Sequence, residues 1–205
     1  MPDFAAGEIV ATTIDGLRVR QRPSLTSSVI AGLLPLAAEL GVVMGPILVD
    51  GQGWYLVTDA DGAEPQFEEG WIASGFEPDA FLAGSGRSVE GSPYLASFAQ
   101  TGDAQFGPIE IVDERHAIRW LALDPEGVRC QLEVTLEPSG GGPVRAIRAT
   151  IGNDVVPGTL QPSFFAAEPT IRGQIFLAVV SDCAWTLVVV HLPEATPEPS
   201  VTPAP

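Results

Sequence analysis

Residues 130–137, Cys-Gln-Leu-Glu-Val-Thr-Leu-Glu, alternate between apolar and polar positions almost without exception. Cys130, Leu132, Val134 and Leu136 fall on one side, and Gln131, Glu133, Thr135 and Glu137 on the other. Successive side chains of an extended chain point to opposite faces, so a period of two marks a strand with one face buried. The pattern recurs at Leu17/Val19, at Leu40/Val42/Met44 and at Trp54/Leu56. Further strands are expected in "GPIEIVDE", "HAIRWLAL", "RAIRATIG", "GQIFLAVV" and "AWTLVVVH". Turns fall in "DGQGW" and "DADG", where Gly and Asp tolerate the backbone angles that turns require. With no convincing helical periodicity in the second half, the expected fold class is all-β.

The chain divides by composition. Residues 1–82 carry short strands at close spacing with Gly-rich turns, the pattern of a small barrel. Residues 83–92, "AGSGRSVEGS", are rich in Gly and Ser and read as a linker. Residues 93–192 hold a second set of strands, including the hairpin-type loop "PSGGGP", and read as a β-sandwich. Residues 193–205, "PEATPEPSVTPAP", read as an extended Pro-rich spacer. No internal repeat is evident between the two halves.

The formal charge is −16, from 26 acidic residues against 10 basic ones, every one of which is Arg. Phosphate contacts demand a surplus of cations, so no nucleic-acid partner is expected. The same balance disfavours anionic lipid. No apolar run approaches the roughly 18 residues of a membrane helix, so membrane insertion of this chain is not expected. "MPDFAAGEIV" has neither the basic start nor the apolar core of a signal peptide.

Cys130 lies on the apolar side of its strand, and Cys183 shares parity with Trp185, Leu187 and Val189. Two inward cysteines on different strands of one sandwich can pair if their Cα atoms come within about 4.4–6.8 Å. The competing reading is two separate buried thiols acting as small hydrophobes. A bond would place the protein in an extracytoplasmic compartment, at the cell surface or secreted, with its targeting segment outside this chain. The wide separation rules out a zinc ribbon, which needs closely paired Cys or His.

Catalytic sets are hard to find, and no enzymatic activity, metal or cofactor is expected. His116 and His191 sit at strand edges and read as structural or exposed. No G-x-S-x-G elbow supports a Ser-His-Asp triad. The carboxylate pairs Asp59/Asp61 and Glu68/Glu69 fall in Gly-rich turn sequence, where solvation explains them. A calcium loop begun at Asp59 would place its bidentate acid at Gly70. "GSGRS" does not open a helix as a phosphate loop would. Trp54 and Trp71 read as barrel core, and Tyr55, of opposite parity to Trp54, as an exposed contact.

"LRVRQRPS" (17–24), "VIAGL" (29–33), "GWYLV" (53–57) and "GWIASGF…FL" (70–82) together resemble the bacterial SH3-like domain family. The resemblance implies a five-to-six-stranded barrel that binds cell-wall polymer or an envelope protein and carries no catalytic residue. Arg18 and Arg22 stand where the family commonly has Asn and Gly. With Arg20 they form a stripe suited to a carboxylate-bearing partner, or alternatively to internal pairing with the chain's own acids. The second half is more weakly similar to small sandwiches of bacterial surface proteins. The expected function is therefore extracytoplasmic binding through Arg18, Arg20, Arg22 and Tyr55. A structural ectodomain of a membrane-anchored sensor or scaffold, or a hydrolase with an unrecognised site, are the alternatives, and the oligomeric state is not legible.

Overall fold

In a computed structural model of the chain, residues 3–49, 51–60, 67–76, 78–111, 116–123, 129–151, 161–164 and 173–192 are described. Within them the fold is all-β, as the alternation predicts. The first half supplies β1 (Glu8–Thr12), β2 (Leu17–Arg20), β3 (Val29–Leu34), β4 (Glu39–Val49), β5 (Gln52–Asp59), β6 (Gly70–Ala73), β7 (Gly75–Phe76), β8 (Asp79–Ala80) and β9 (Leu82–Ser88). The second supplies β10 (Tyr94–Thr101), β11 (Ala104–Ile111), β12 (His116–Leu123), β13 (Cys130–Pro138), β14 (Val144–Ile151), β15 (Gln161–Phe164), β16 (Gly173–Ser181) and β17 (Ala184–His191).

Seven strands of the first half form one sheet in the order β3-β2-β6-β5-β4-β1-β9, and β7 pairs β8 separately. Its inward side chains, among them Val10, Leu17, Val19, Leu34, Leu40, Val42, Tyr55, Val57, Ile72 and Leu82, pack into a single cluster. Every strand of that sheet contributes one, so the sheet curls around its own core. The second half forms two four-stranded sheets, β10-β17-β12-β15 and β11-β16-β13-β14. Between them lies a sandwich-like core that includes Leu132, Val134, Leu136, Ile175, Leu177, Trp185, Leu187 and Val189. The expected pair forms there: Cys130 and Cys183 are disulfide-bonded, with their Cα atoms 5.3 Å apart. The bond ties the start of β13 to the turn between β16 and β17, and thereby one sheet to the crossing into the other.

Three features depart from the sequence reading. Residues 82–88, mostly inside the expected linker, form β9 and pair with β1 from Thr12↔Leu82 to Glu8↔Ser88. Only Leu82 of β9 is buried, so the strand is held by its backbone ladder and by Ser85 Oγ donating to the Ile9 carbonyl at 2.7 Å. Composition cannot register a strand whose side chains have nothing to pack against. Secondly, the halves share a third core. Val43, Met44, Ile47, Trp54, Leu56, Trp71 and Ala73 pack against Leu121, Leu123, Ala184, Val188 and Val190. β17 is therefore buried on both faces, which is why "AWTLVVVH" shows no alternation of apolar and polar positions. A partly buried ion pair seals the edge of this layer: Arg119 Nη1 donates to Glu69 Oε1 at 2.6 Å, and Arg119 Nη2 also bonds Glu69 Oε2. Glu69 is thus an ion-pair partner of the second half rather than a merely solvated turn acid.

The third departure is a local repeat. Met44-Gly45-Pro46-Ile47 on β4 and Phe106-Gly107-Pro108-Ile109 on β11 adopt one geometry. In each, three steps along the strand oppose two on its partner: Met44↔Leu56 to Ile47↔Trp54, and Phe106↔Leu177 to Ile109↔Ile175. These are β-bulges. Gly45 (φ 131°) and Gly107 (φ 129°) take angles that side chains disfavour, and both precede a cis proline. A Cβ at either would lie 2.8 Å from a backbone oxygen, that of Trp54 or Ile175.

Candidate functional site

The arginine stripe lies on β2 and the loop that follows it. Along β2 the expected alternation holds: Leu17 and Val19 are buried, Arg18 is exposed, and Arg20 is half-buried. β2 ends at Arg20, and Pro23, buried, closes the turn beyond. The 21–28 loop is compact. Gln21 N donates to the Ser28 carbonyl at 2.9 Å, Arg22 N to Ser27 Oγ at 2.9 Å, and Ser27 N to the Ser24 carbonyl at 3.2 Å. Arg20 helps hold it, with Nη1 donating to the Ser27 carbonyl at 2.7 Å. The three arginines thus divide: Arg20 braces the loop, whereas Arg18 and Arg22 form no ion pair among the described residues.

Charge along the chain isolates this region further. From Gly16 to Ala38 there are three arginines and no Asp or Glu, so the remainder carries seven arginines and all 26 acids, 7 − 26 = −19. The segment and the two residues before it also hold most of the exposed large hydrophobic residues among those described. Of ten exposed large hydrophobic residues among those described, six lie between positions 14 and 36: Ile14, Leu25, Val29, Ile30, Leu33 and Leu36. In the sequence "VIAGL" carries only the family resemblance, and that reading misses the exposed surface. The signal lies in the loss of alternation across Val29, Ile30, Leu33 and Leu36, a run too apolar for a solvated loop.

Leu33 and Ala37 sit at φ 61° and 63°, the left-handed region that favours glycine. At Leu33 the cause is a bulge: Ala31 to Leu34 spans three steps opposite two from Leu17 to Val19. The extra residue turns the Leu33 side chain outward, leaving it 69% exposed. Ala37 occupies the third position of a turn closed by Ala38 N donating to the Pro35 carbonyl at 3.2 Å.

Tyr55 does not belong to this face. It is fully buried in the first half's own core, beside Phe4 at 5.2 Å between ring centroids, and its hydroxyl accepts from Phe4 N at 3.2 Å. Burial pushes the phenol well above the usual tyrosine range, the Phe4 N–H opposes this, and the Asp3 and Glu8 carboxylates add to it. Opposite parity from Trp54 was read correctly. Its expected consequence was wrong because β5 is covered on both faces: Tyr55 faces the first half's core, and Trp54 faces the second half. Trp54 and Trp71 are accordingly buried, each 1% exposed, but in the layer between the halves rather than in the small unit's own core.

Elsewhere, His116 and His191 face each other across β12 and β17, with rings 5.3 Å apart and nearly perpendicular, and His116 is buried. Neither lines either of two cavities formed by described residues. The first, of about 540 Å³, includes Asp103, Gln131, Glu133, Arg148 and Asp182. Two of its acids are engaged by backbone: Ser181 N donates to Asp103 Oδ1 at 2.8 Å, and Gln131 N bonds Asp182 Oδ1. The second, of about 470 Å³, lies between the halves beside Phe4, Glu8, Pro46, Phe98 and Phe106. Among the described residues one cluster could in principle hold a metal, Cys130 with Asp182 and Cys183, but its two sulfurs are spent on each other. Asp61 of the carboxylate pair lies outside the described residues.

Compared with family models, curated proteins and solved structures, the chain gives no significant match in any of the three.

Proposed function

We propose that the chain is a non-enzymatic extracytoplasmic binding protein, built on an SH3-like first half, which takes a carboxylate-bearing ligand on the β2–β3 face. The ligand class is cell-wall polymer or an envelope protein. One observation carries the reading: a stretch of three arginines without an acid, on the exposed end of a sheet, in a chain of net charge −16. Such a patch draws negative groups out of a field that otherwise repels them. The disulfide supports an oxidising compartment. Arg18 and Arg22 are the contact residues, Arg20 positions the loop through Ser27, and Tyr55 is a core residue.

The test is co-sedimentation with insoluble peptidoglycan and, in parallel, crosslinking to envelope extract. Both use the whole chain and its Arg18→Ser/Arg22→Ser variant, which leaves the Arg20 brace in place. Retention or crosslinking that falls in the variant and weakens with added salt is the expected result. Capture that is equal in both proteins, or no capture of either kind, would overturn the assignment.

A further inference from the structure

The β3 edge adds a second requirement to what occupies this face. β3 is the terminal strand of its sheet and pairs only with β2 among the described strands. A terminal strand presents a row of backbone donors and acceptors ready to pair with another chain, and natural proteins blunt such edges with charge, proline, short length or bulges. β9, at the other end of the same sheet, is blunted: "LAGSGRS" exposes no large apolar side chain, and its Arg87 bonds Glu39. β3, "VIAGLL", shifts register against β2 at two places, but it contains neither charge nor proline and exposes Val29, Ile30 and Leu33.

We propose that the outer edge of β3 receives an extended protein segment that carries acidic and apolar side chains together along its outward face, added to the sheet as a further strand. This rests on the reading of Arg18 and Arg22 as a ligand face and names its occupant. Backbone pairing supplies the docking, and alternate side chains supply the selection. Apolar residues of the incoming strand cover Val29, Ile30 and Leu33, and its acids meet the arginines. Val29 is the cross-strand neighbour of Arg20, so apolar and cationic groups stand side by side on the strand pair.

Other occupants fit less well. A second copy presenting the same edge would bring two acid-free arginine stretches together, which like-charge repulsion opposes. The chain's own residues 193–205 have proline at five of thirteen positions, and proline has no N–H to donate to a ladder. A glycan could meet the arginines but has neither the ladder nor the apolar side chains.

The probe is a short labelled peptide of repeating Glu-Ser-Val-Ser, which puts Glu and Val on one face, titrated against the full chain by fluorescence anisotropy. Two companions are the same peptide N-methylated at alternate residues and one with Lys in place of every Glu. The parent peptide should bind, and N-methylation or the Lys exchange should weaken it by about tenfold or more. Val29→Asn/Leu33→Asn, which keeps the charge and suits the left-handed position, should weaken it by a similar factor, about tenfold. Arg18→Ser/Arg22→Ser should weaken it and flatten its salt dependence. Circular dichroism and melting of each variant establish that the fold is intact. Equal binding of the N-methylated peptide, or indifference to the Val29/Leu33 change, overturns strand addition. If peptidoglycan is retained through the arginines while the peptide is not bound, the docking inference fails and the arginine face stands. If neither binds, both fall. A dimer in sedimentation that Val29→Asn/Leu33→Asn converts to monomer identifies a second copy and also overturns the inference.

Discussion

Replacing both cysteines by alanine tests whether the bond at one end of the second sandwich governs the stability of the whole chain. Cys130 and Cys183 are 53 positions apart, and the closed segment contains β14, β15 and β16 with most of β13. For a loop of this length the loss of unfolded-state entropy amounts to about 14 cal/mol/K, or about 4 kcal/mol at room temperature. Both sulfurs are buried, with Cys130 2% and Cys183 0% exposed, so their deletion adds about 1 kcal/mol of lost packing. A loss of about 5 kcal/mol in a chain of this size corresponds to a melting shift of about 10–20 °C. Urea unfolding followed by tryptophan fluorescence is the assay, because the indoles report on different layers. Trp54 and Trp71 lie between the halves, and Trp185 lies inside the sandwich. The shared layer predicts that the variant still unfolds in one transition at lower urea. A loss below about 1 kcal/mol would show that the unfolded chain gains little freedom from the cut, and the loop argument would fail.

Four further outcomes are expected. Gly45→Ala and Gly107→Ala should each cost about 2–4 kcal/mol, since the new Cβ meets a backbone oxygen at 2.8 Å that cannot swing away; thermal melts of the two variants should fall together. Ala37→Gly should raise stability by about 0.5 kcal/mol, as about 1–2 kcal/mol of left-handed strain is released against about 0.5–1 kcal/mol of glycine flexibility, measured as the urea midpoint. Glu69→Gln should cost about 2 kcal/mol by leaving the partly buried Arg119 without its carboxylate, with a matching loss for Arg119→Met in the same urea assay. Both tyrosines, Tyr55 and Tyr94, are raised above the ordinary value of 10.0, chiefly by burial; folding favours their neutral forms, so the stability they contribute is whole below pH 10 and is lost as pH climbs through their folded values. Absorbance at the tyrosinate band should therefore be lower in the native protein at pH 10 than in the urea-unfolded chain.

What could be read from the sequence follows from which faces are buried. β13 was legible because one side meets the sandwich core and the other meets water, so Cys130, Leu132, Val134 and Leu136 separate cleanly from Gln131 and Glu133. The cysteine pairing followed from the same parity. β5 was only half legible. Trp54 and Tyr55 were assigned to opposite faces correctly, yet a strand buried on both sides offers no polar positions to show which face is outside. β9 was illegible for the opposite reason, since nearly all its residues are exposed and only the Glu8–Ser88 to Thr12–Leu82 ladder makes it a strand. The layer between the halves gathers Val188 and Val190 into one cluster with Met44 and Trp71, residues far apart in the chain whose association no local pattern encodes.

That layer also explains why the β2–β3 end is the place to look for a partner. The first sheet spends one face on its own core. Its other face meets the second half through Val43, Met44, Ile47, Trp54, Leu56, Trp71 and Ala73, all on β4, β5 and β6. In the order β3-β2-β6-β5-β4-β1-β9 those are the central strands, and β2 and β3 contribute nothing to the layer. Leu25, Val29, Ile30 and Leu33 therefore stay exposed although they are as apolar as the side chains buried a few strands away. Hydrophobic burial would cover them if folding alone shaped the sequence. They sit instead beside arginines that the rest of the chain's −19 does not neutralise within the segment. Exposed apolar side chains thus share one sheet end with Arg18 and Arg22, which form no ion pair among the described residues, and this supports the proposal that a partner covers that end.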